Sequence, residues 1–419
     1  MEQLSNSIEI IKDRLYFFVQ RKKVLSLDVL ISAASNECHF FTTDTTRIYE
    51  PFVYDFGPLH LGHTIEFCRD MNALLSDPQH KSQKLYYCTA CDQNKRENAV
   101  YLMAAYSLLC LGRTPEESFN PFTLLRPALI PFRDASAGLS TFNLTVLDCL
   151  RGLLKAKELE LIDLDSFDTE SYEFYSRVEN GDMNWIIPGK ILAFAGPSEQ
   201  QNLGYSTLTP RHYIPYFKKH NITEVVRLNK KCYPATRFTS EGINHHTLYF
   251  VDGGLPENAL LKKFLNIVDN AEGAVAVHCK AGLGRTGTLI GCWMMQHYFM
   301  TAIEVIGYLR IARPGSVIAQ QQNFLCEMER KLHKFGRNKQ SQSQSPLVSH
   351  SPVANCQNLA ITNDVSAASP LSRSTLKPPN ASILDTPPRS TMKSEARAHR
   401  RPVGGQESSL SKRFSRLSL

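Results

Sequence analysis

Along the first 335 residues, short apolar runs alternate with stretches whose apolar positions recur at helical spacing, the pattern of an α/β protein. Three runs read as strands: EVVRLN (residues 224–229), HTLYFVD (246–252) and GAVAVHC (273–279), the last apolar on both faces. TGTLIGCWMMQHYF then follows at helical spacing. AVHCKAGLGRTGTL (276–289) is therefore the end of a strand, a glycine turn and the start of a helix. KLYYCTACDQNKRENAVYLMAAYSLL (84–109) runs the same way, as strand, tight polar segment and helix. Each is followed by a second helical segment and a proline-bearing turn, so the two read as copies of one α/β unit. The first copy lacks the glycines and the cysteine–arginine pair at the spacing of the second, which predicts a scaffold without the chemistry.

The pattern stops after Gly336. The last 84 residues hold seventeen serines and a single aromatic, Phe414, too little apolar surface to offset the entropy of ordering. They predict a disordered tail. Composition changes the picture at one point. The chain carries +7, but twelve Lys/Arg against four Asp/Glu give the tail +8, leaving the first 335 residues near −1. A nucleic-acid-binding core is disfavoured accordingly. No apolar run reaches the roughly 18 residues of a membrane span, and the N-terminus does not read as a signal peptide. The eleven scattered cysteines read as mostly reduced in an intracellular chain.

Candidate chemistry sits in the glycine turn. A thiol at the end of a strand faces the N-terminus of the next helix, where backbone N–H groups carry partial positive charge. Ala281, Gly282 and Gly284 let successive amides converge on an anion. Such a cradle binds phosphate and lowers the pKa of Cys279 toward a thiolate nucleophile. Arg285, six residues on, returns across the loop to grip two phosphate oxygens. Thr286 can place a hydroxyl near the sulfur, and His278 is expected to shape the loop by hydrogen bonding rather than to act as a base. Lys280 and Leu283 complete the predicted phosphate-binding loop. The flat alternative, a buried cysteine near a helix-capping arginine, does not account for the strand, three glycines and RTG together.

HCKAGLGRTG resembles the signature of protein-tyrosine and dual-specificity phosphatases. FRDAS (132–136), NLTVLDCL (143–150), RVENGDMNWIIPGKILAFAGP (177–197), YFKKHNITEVVRLNKK (216–231), FVDGGLP (250–256) and RPGSVI (313–318) together resemble one group within them, the cell-division-cycle-fourteen phosphatases of mitotic exit. The resemblance covers about residues 10–335 and implies two tandem dual-specificity-phosphatase-like domains joined by a linker helix. The expected boundaries are 1–170 for a noncatalytic half, 171–185 for the linker helix, 186–336 for the catalytic domain and 337–419 for a basic, Ser-rich regulatory tail. It makes Asp252, in the VDGGLP turn, the general acid and then the base of phosphocysteine hydrolysis. It makes Gln321 and Gln322 the residues that orient water. Two departures stand out: AQQQ replaces the usual Gly-Pro-Gln-Gln, through Ala319 and Gln320, and Gly254 and Leu255 replace the usual Ser-Thr. Glu179 and Asp182 resemble an acidic substrate groove that favours a basic residue downstream of phosphoserine-proline, with Glu173 and Asp168 as lesser candidates.

The expected function is therefore a protein phosphatase acting on sites made by cyclin-dependent and other proline-directed kinases, without metal or cofactor. Cys88 and Cys91 form a CxxC with no second pair, which disfavours zinc. A phosphoinositide phosphatase is the alternative, set back because Leu283 stands where a second loop lysine would meet further phosphates. A phosphate-binding scaffold is the other, set back because Cys279, Arg285 and Asp252 are all present. Neither nucleic acid nor membrane is expected as a partner. Ser345, Ser351, Ser369 and Thr386 precede prolines in the tail and are expected phosphorylation sites beside basic clusters at 397–401 and 412–416. The nucleus is the expected location, with nucleolus, cytoplasm, centrosome and spindle left open.

Overall fold

A computed structural model describes residues 6–20, 37–199 and 208–343. Of the tail expected over 337–419, residues 337–343 are helical instead, the end of a helix over Gln320–Ser343; the rest, with its four phosphorylation sites, lies outside the described residues. The first half builds a sheet from β1 (Ile8–Ile11), β2 (Leu15–Gln20), β3 (Cys38–Phe41) and β4 (Lys84–Ala90) in the order β1-β2-β4-β3. The second builds one from β5 (Met183–Ile187), β6 (Ile191–Phe194), β7 (Ile222–Arg227), β8 (Asn244–Thr247) and β9 (Ala274–His278) in the order β5-β6-β9-β7-β8. Both begin with an antiparallel hairpin, β1/β2 and β5/β6. Both then insert a late strand, β4 or β9, parallel to and beside the second hairpin strand. The sequence echo is thus a shared topology, with β8 added in the second half. β9 is buried at all five positions, as a central parallel strand covered on both faces must be.

The helices follow as α1 (Leu61–Ser76), α2 (Gln93–Leu109), α3 (Val146–Glu158), α4 (Thr169–Ser176), α5 (Pro210–Lys219), α6 (Asn258–Asn270), α7 (Gly284–Tyr298), α8 (Ala302–Ala312) and α9 (Gln320–Ser343). Capping boxes start α3, at Thr145 with Asp148, and α8, at Thr301 with Glu304. These two helices cross between the halves on glycines. A Cβ on Gly152 would lie 2.3 Å from the Glu304 carbonyl oxygen, and one on Gly307 would lie 3.0 Å from that of Asp148. One apolar core runs without a break from Leu15 and Phe17 through Leu150 and Leu309 to Leu325. The halves therefore share a packed interior, which holds them in one relative position.

Two expected elements come out differently. The linker helix expected over 171–185 is helical only as α4, to Ser176, with one further turn at Val178–Asn180 before β5. The helix breaks at Arg177, whose backbone is extended (φ −71°, ψ 143°), and the further turn ends where Gly181 (φ 132°) and Asp182 (φ 49°) leave the helical region. The strand expected over 246–252 pairs only as β8, ending at Thr247. Its alternation persists beyond: Leu248 and Phe250 are buried while Tyr249 and Val251 are exposed. Phe250 donates its N–H to Leu228 at 3.3 Å, so the chain follows the sheet without forming a ladder.

Candidate active site

β9 delivers Cys279 to the mouth of a five-residue loop, and α7 begins at Gly284. The tightness of the loop has a steric origin. Gly282 sits at φ 70°, and a Cβ there would lie 2.0 Å from the Phe194 carbonyl oxygen. Gly196 likewise lies under the loop, where a Cβ would be 2.2 Å from the Cys279 carbonyl oxygen. Beneath it, His278 is fully buried. Its Nδ1 lies 3.0 Å from the Cys279 carbonyl, which can only accept, so the proton is on Nδ1. Nε2 then accepts from the Tyr233 hydroxyl at 2.6 Å, and His245 Nε2 donates to that hydroxyl at 3.0 Å. Burial pushes the pKa of His278 down to about 3 and that of His245 to about 4. The chain of neutral groups runs from His245 through Tyr233 and His278 to the Cys279 carbonyl.

The cationic member is in place. Arg285 is 3% exposed; its Nη1 donates to the Phe250 carbonyl at 2.9 Å, and its Nη2 meets Asp252 at 2.9 Å. Arg285 Nε and the Thr286 hydroxyl are buried with no hydrogen-bond partner among the described residues. Buried polar atoms are nearly always paired, so these two donors mark a place made for an anion. α7 has no side-chain cap at its N-terminus. Asp252 is 63% exposed in a turn closed by the Gly254 N–H to the Val251 carbonyl at 3.0 Å, next to Gly253 at φ 68°. Burial lowers the pKa of Lys280, the remaining loop cation.

The two glutamines separate. Gln321 is buried beneath the loop, where it donates from Nε2 to the Gly254 carbonyl at 3.2 Å; a Cβ on Gly284 would lie 2.8 Å from its Oε1. Gln322 turns the other way: its Oε1 accepts from Arg310 and its Nε2 donates to the Ala319 carbonyl at 3.1 Å. Both ends of that amide are engaged away from the thiol, which corrects the expected role of Gln322. Gln320 reaches the Gly253 carbonyl at 2.9 Å.

A groove of about 650 Å³ opens from Leu283 between the halves. Glu179 lines it and is exposed, with Glu173 and Glu50 beside it. Asp182 also lines it, but is 7% exposed and paired with Arg313 at 2.9 Å. Asp182 thus lines the groove as a buried, paired carboxylate, whereas Glu179 lines it exposed. Arg313 also donates to the carbonyls of Ala281 (3.0 Å) and Gly282 (2.9 Å), so Asp182 anchors the phosphate loop from behind. Asp168 is spent as the N-cap of α4, its carboxylate accepting from the Ser171 N–H at 2.9 Å. Sequence reasoning missed Glu50, Tyr233 and Arg313, whose roles arise only from partners distant in the chain. It also missed how directly the first half meets the loop: Phe52 and Ala135 pack with Leu283 in one small apolar cluster.

Among the described residues, the grouping that brings metal-ligating atoms together is His60, His63 and Glu173, within 4.8 Å. His60 Nδ1 accepts from the His63 N–H, which puts its proton on Nε2, facing Glu173. The two rings are stacked at 3.8 Å, so an ion in the plane of one lies out of the plane of the other. The arrangement suits a hydrogen-bonded groove floor better than a metal centre.

The structure thus brings together a thiol at an uncapped helix start, an opposed arginine and an aspartate on a facing loop, the arrangement the loop motif predicts. Comparison with known proteins agrees. Residues 9–156 match the family model described as dual specificity protein phosphatase, N-terminal half, and residues 209–331 match dual specificity phosphatase, catalytic domain. The Dual specificity protein phosphatase CDC14A of Homo sapiens is 47% identical over 333 residues, covering 79% of this chain and 55% of that protein. CDC14AB of Danio rerio is 44% identical, covering 88% and 60%. CDC14C of Homo sapiens is 45% identical over 324 residues, covering 77% and 71%. The chain belongs to the CDC14 family of dual specificity protein phosphatases. It spans between half and two thirds of the length of the CDC14A and CDC14AB relatives.

Proposed function

We propose that the chain is a cysteine-dependent protein phosphatase that hydrolyses phosphoserine, phosphothreonine and phosphotyrosine monoesters through a phosphocysteine intermediate. One observation carries the reading: Arg285 and Asp252 meet at 2.9 Å at a helix start that no side chain caps, on the loop that opens with Cys279. A phosphate dianion takes the loop amides and the guanidinium, and Asp252 swings on its exposed turn toward the leaving oxygen. The Cys279 thiolate attacks phosphorus in line; the S–P bond forms as the P–O bond breaks, and Asp252 gives its proton to the leaving oxygen. In the second step Asp252, now a carboxylate, takes a proton from water held by Gln321. The new hydroxyl bonds to phosphorus, the S–P bond breaks, and Thr286 donates to the departing sulfur.

The substrates proposed are phosphoserine-proline sites of cyclin-dependent kinases with a basic residue downstream, in a cell-cycle role that suits the family name. Glu50, Glu173 and Glu179 in the groove beside Leu283 support that preference. Steady-state kcat/KM on matched peptides tests it: pSer-Pro-x-Lys, pThr-Pro-x-Lys, pSer-Ala-x-Lys, pSer-Pro-x-Glu and a phosphotyrosine peptide, with a soluble phosphoinositide as outgroup. The first is expected to be best, with the advantage of Lys over Glu reduced in Glu179→Ala. Equal rates throughout, or best turnover of the phosphoinositide, would contradict the substrate assignment. Nuclear placement and control through tail phosphorylation are proposals of the same kind. Deleting 337–419 and following location and activity through the division cycle tests whether the tail carries the import signal and the control, and no change in either would refute both roles of the tail.

A further inference from the structure

We propose that Asp134, contributed by the noncatalytic half, is a positioning residue for the hydrolytic step, pinning the loop that carries Gln321. The inference rests on the phosphatase reading above. Asp134 is 1% exposed, and its Oδ2 accepts the Ala319 N–H at 2.8 Å, across 185 positions of sequence. Ala319 sits at φ 49° and Val317 at φ 60°, both in the left-handed region that residues with a Cβ enter at a cost. Each strained residue has a tether. The Val317 carbonyl accepts from Arg310 Nη2 at 3.1 Å, and the Ala319 N–H is held by Asp134.

Two residues further on, Gln321 depends on this geometry. Its Oε1 accepts the Ile318 N–H at 3.2 Å, which folds the side chain back under the loop. Its Nε2 is thereby aimed at Gly254, two residues beyond the proposed acid Asp252. If Ala319 relaxes to negative φ, the backbone between Ile318 and Gln321 turns, and the amide leaves both the Asp252 turn and the start of α7. Attack by Cys279 uses the thiol, Arg285 and Asp252, none of which Asp134 touches in the described contacts. Hydrolysis of the phosphocysteine uses the water that Gln321 holds. Loss of the tether therefore falls on the second step.

Rapid-mixing kinetics of the full chain with p-nitrophenyl phosphate test this. In Asp134→Ala the burst rate constant is expected to hold, while steady-state kcat falls about tenfold and KM falls with it, as displacement of one positioned group implies. Asp134→Ala combined with Ala319→Gly, which removes the strain, is expected to recover kcat to within about twofold of wild type. Asp134→Asn keeps an acceptor oxygen and is expected to stay near wild type, which separates the tether from loss of charge beside the buried Arg310. The proposal is overturned by a burst slowed as much as kcat, by an unchanged kcat in Asp134→Ala, or by a deficit that glycine at 319 does not relieve. Turnover by the wild type with any of those results sinks this proposal alone. A wild type that turns over no phosphomonoester sinks the phosphatase reading and this proposal with it.

Discussion

The two halves start a helix from the same strand position and use that start in opposite ways. In the second half β9 leads to α7, whose N-terminus has no side-chain cap, with Arg285 and Thr286 keeping unpaired donors there. In the first half β4 leads to α2, which Asp92 caps by accepting the Lys95 N–H at 3.1 Å. Its arginine, Arg96, is buried and committed to Glu97 at 2.8 Å and to the Pro127 carbonyl at 2.9 Å. A helix N-terminus attracts negative charge in either case. The first half satisfies its own with a carboxylate; the second leaves the place that the proposed function gives to a phosphate. On the proposed reading, chemistry can be lost from one copy of the unit with no change of fold, by an anion of the protein's own.

Substitutions sharpen that contrast. The largest expected effect is at Cys279: Cys279→Ser should lower kcat on p-nitrophenyl phosphate by at least ~10⁴-fold, whereas Cys91→Ser, in the matching turn, should leave it unchanged. Gly282→Ala comes next. Its Cβ would meet the Phe194 carbonyl at 2.0 Å from a positive φ, so the loop must shift, and kcat/KM should fall by about 100-fold with circular dichroism preserved. Asp92→Ala should do the reverse, leaving kcat intact while lowering stability by about 1 kcal/mol as a lost cap does; urea unfolding would measure it. The last effect is one of pH and acts on stability rather than on turnover. His278 and His245 titrate near 3 and 4 when folded against an ordinary 6.5, so below 6.5 the unfolded chain binds protons that the folded chain refuses. Stability is fully present above pH 6.5 and is lost as pH falls through 4 toward 3. The melting temperature should drop over that window, and drop less in His245→Gln.

What was legible in the sequence was what neighbours along the chain decide. β9, the glycine loop and α7 are local in origin, written as an apolar run, small residues and helical spacing. The duplicated unit was visible for the same reason. Gln321 and Gln322 are adjacent and chemically identical, and what separates them is Arg310, twelve residues before Gln322 and on another helix. Asp182 looked like a groove acid because VENGD is polar and acidic; Arg313, 131 positions away, makes it a buried anchor of the loop. The strand over 246–252 was overextended because alternation reports which side is buried, not whether a neighbour completes the ladder. Such distinctions are made by long-range pairs, and a single sequence does not display them.

The central claim is that the uncapped helix start of the second half, and not its capped counterpart, receives the phosphoryl group on sulfur. Rapid acid quenching during turnover, followed by peptide mass spectrometry, tests it most directly. The account predicts one phosphoryl adduct, on the peptide containing Cys279, and none on the peptide containing Cys88 and Cys91. An adduct on the first-half peptide, or sustained turnover with Cys279 never modified, would contradict it.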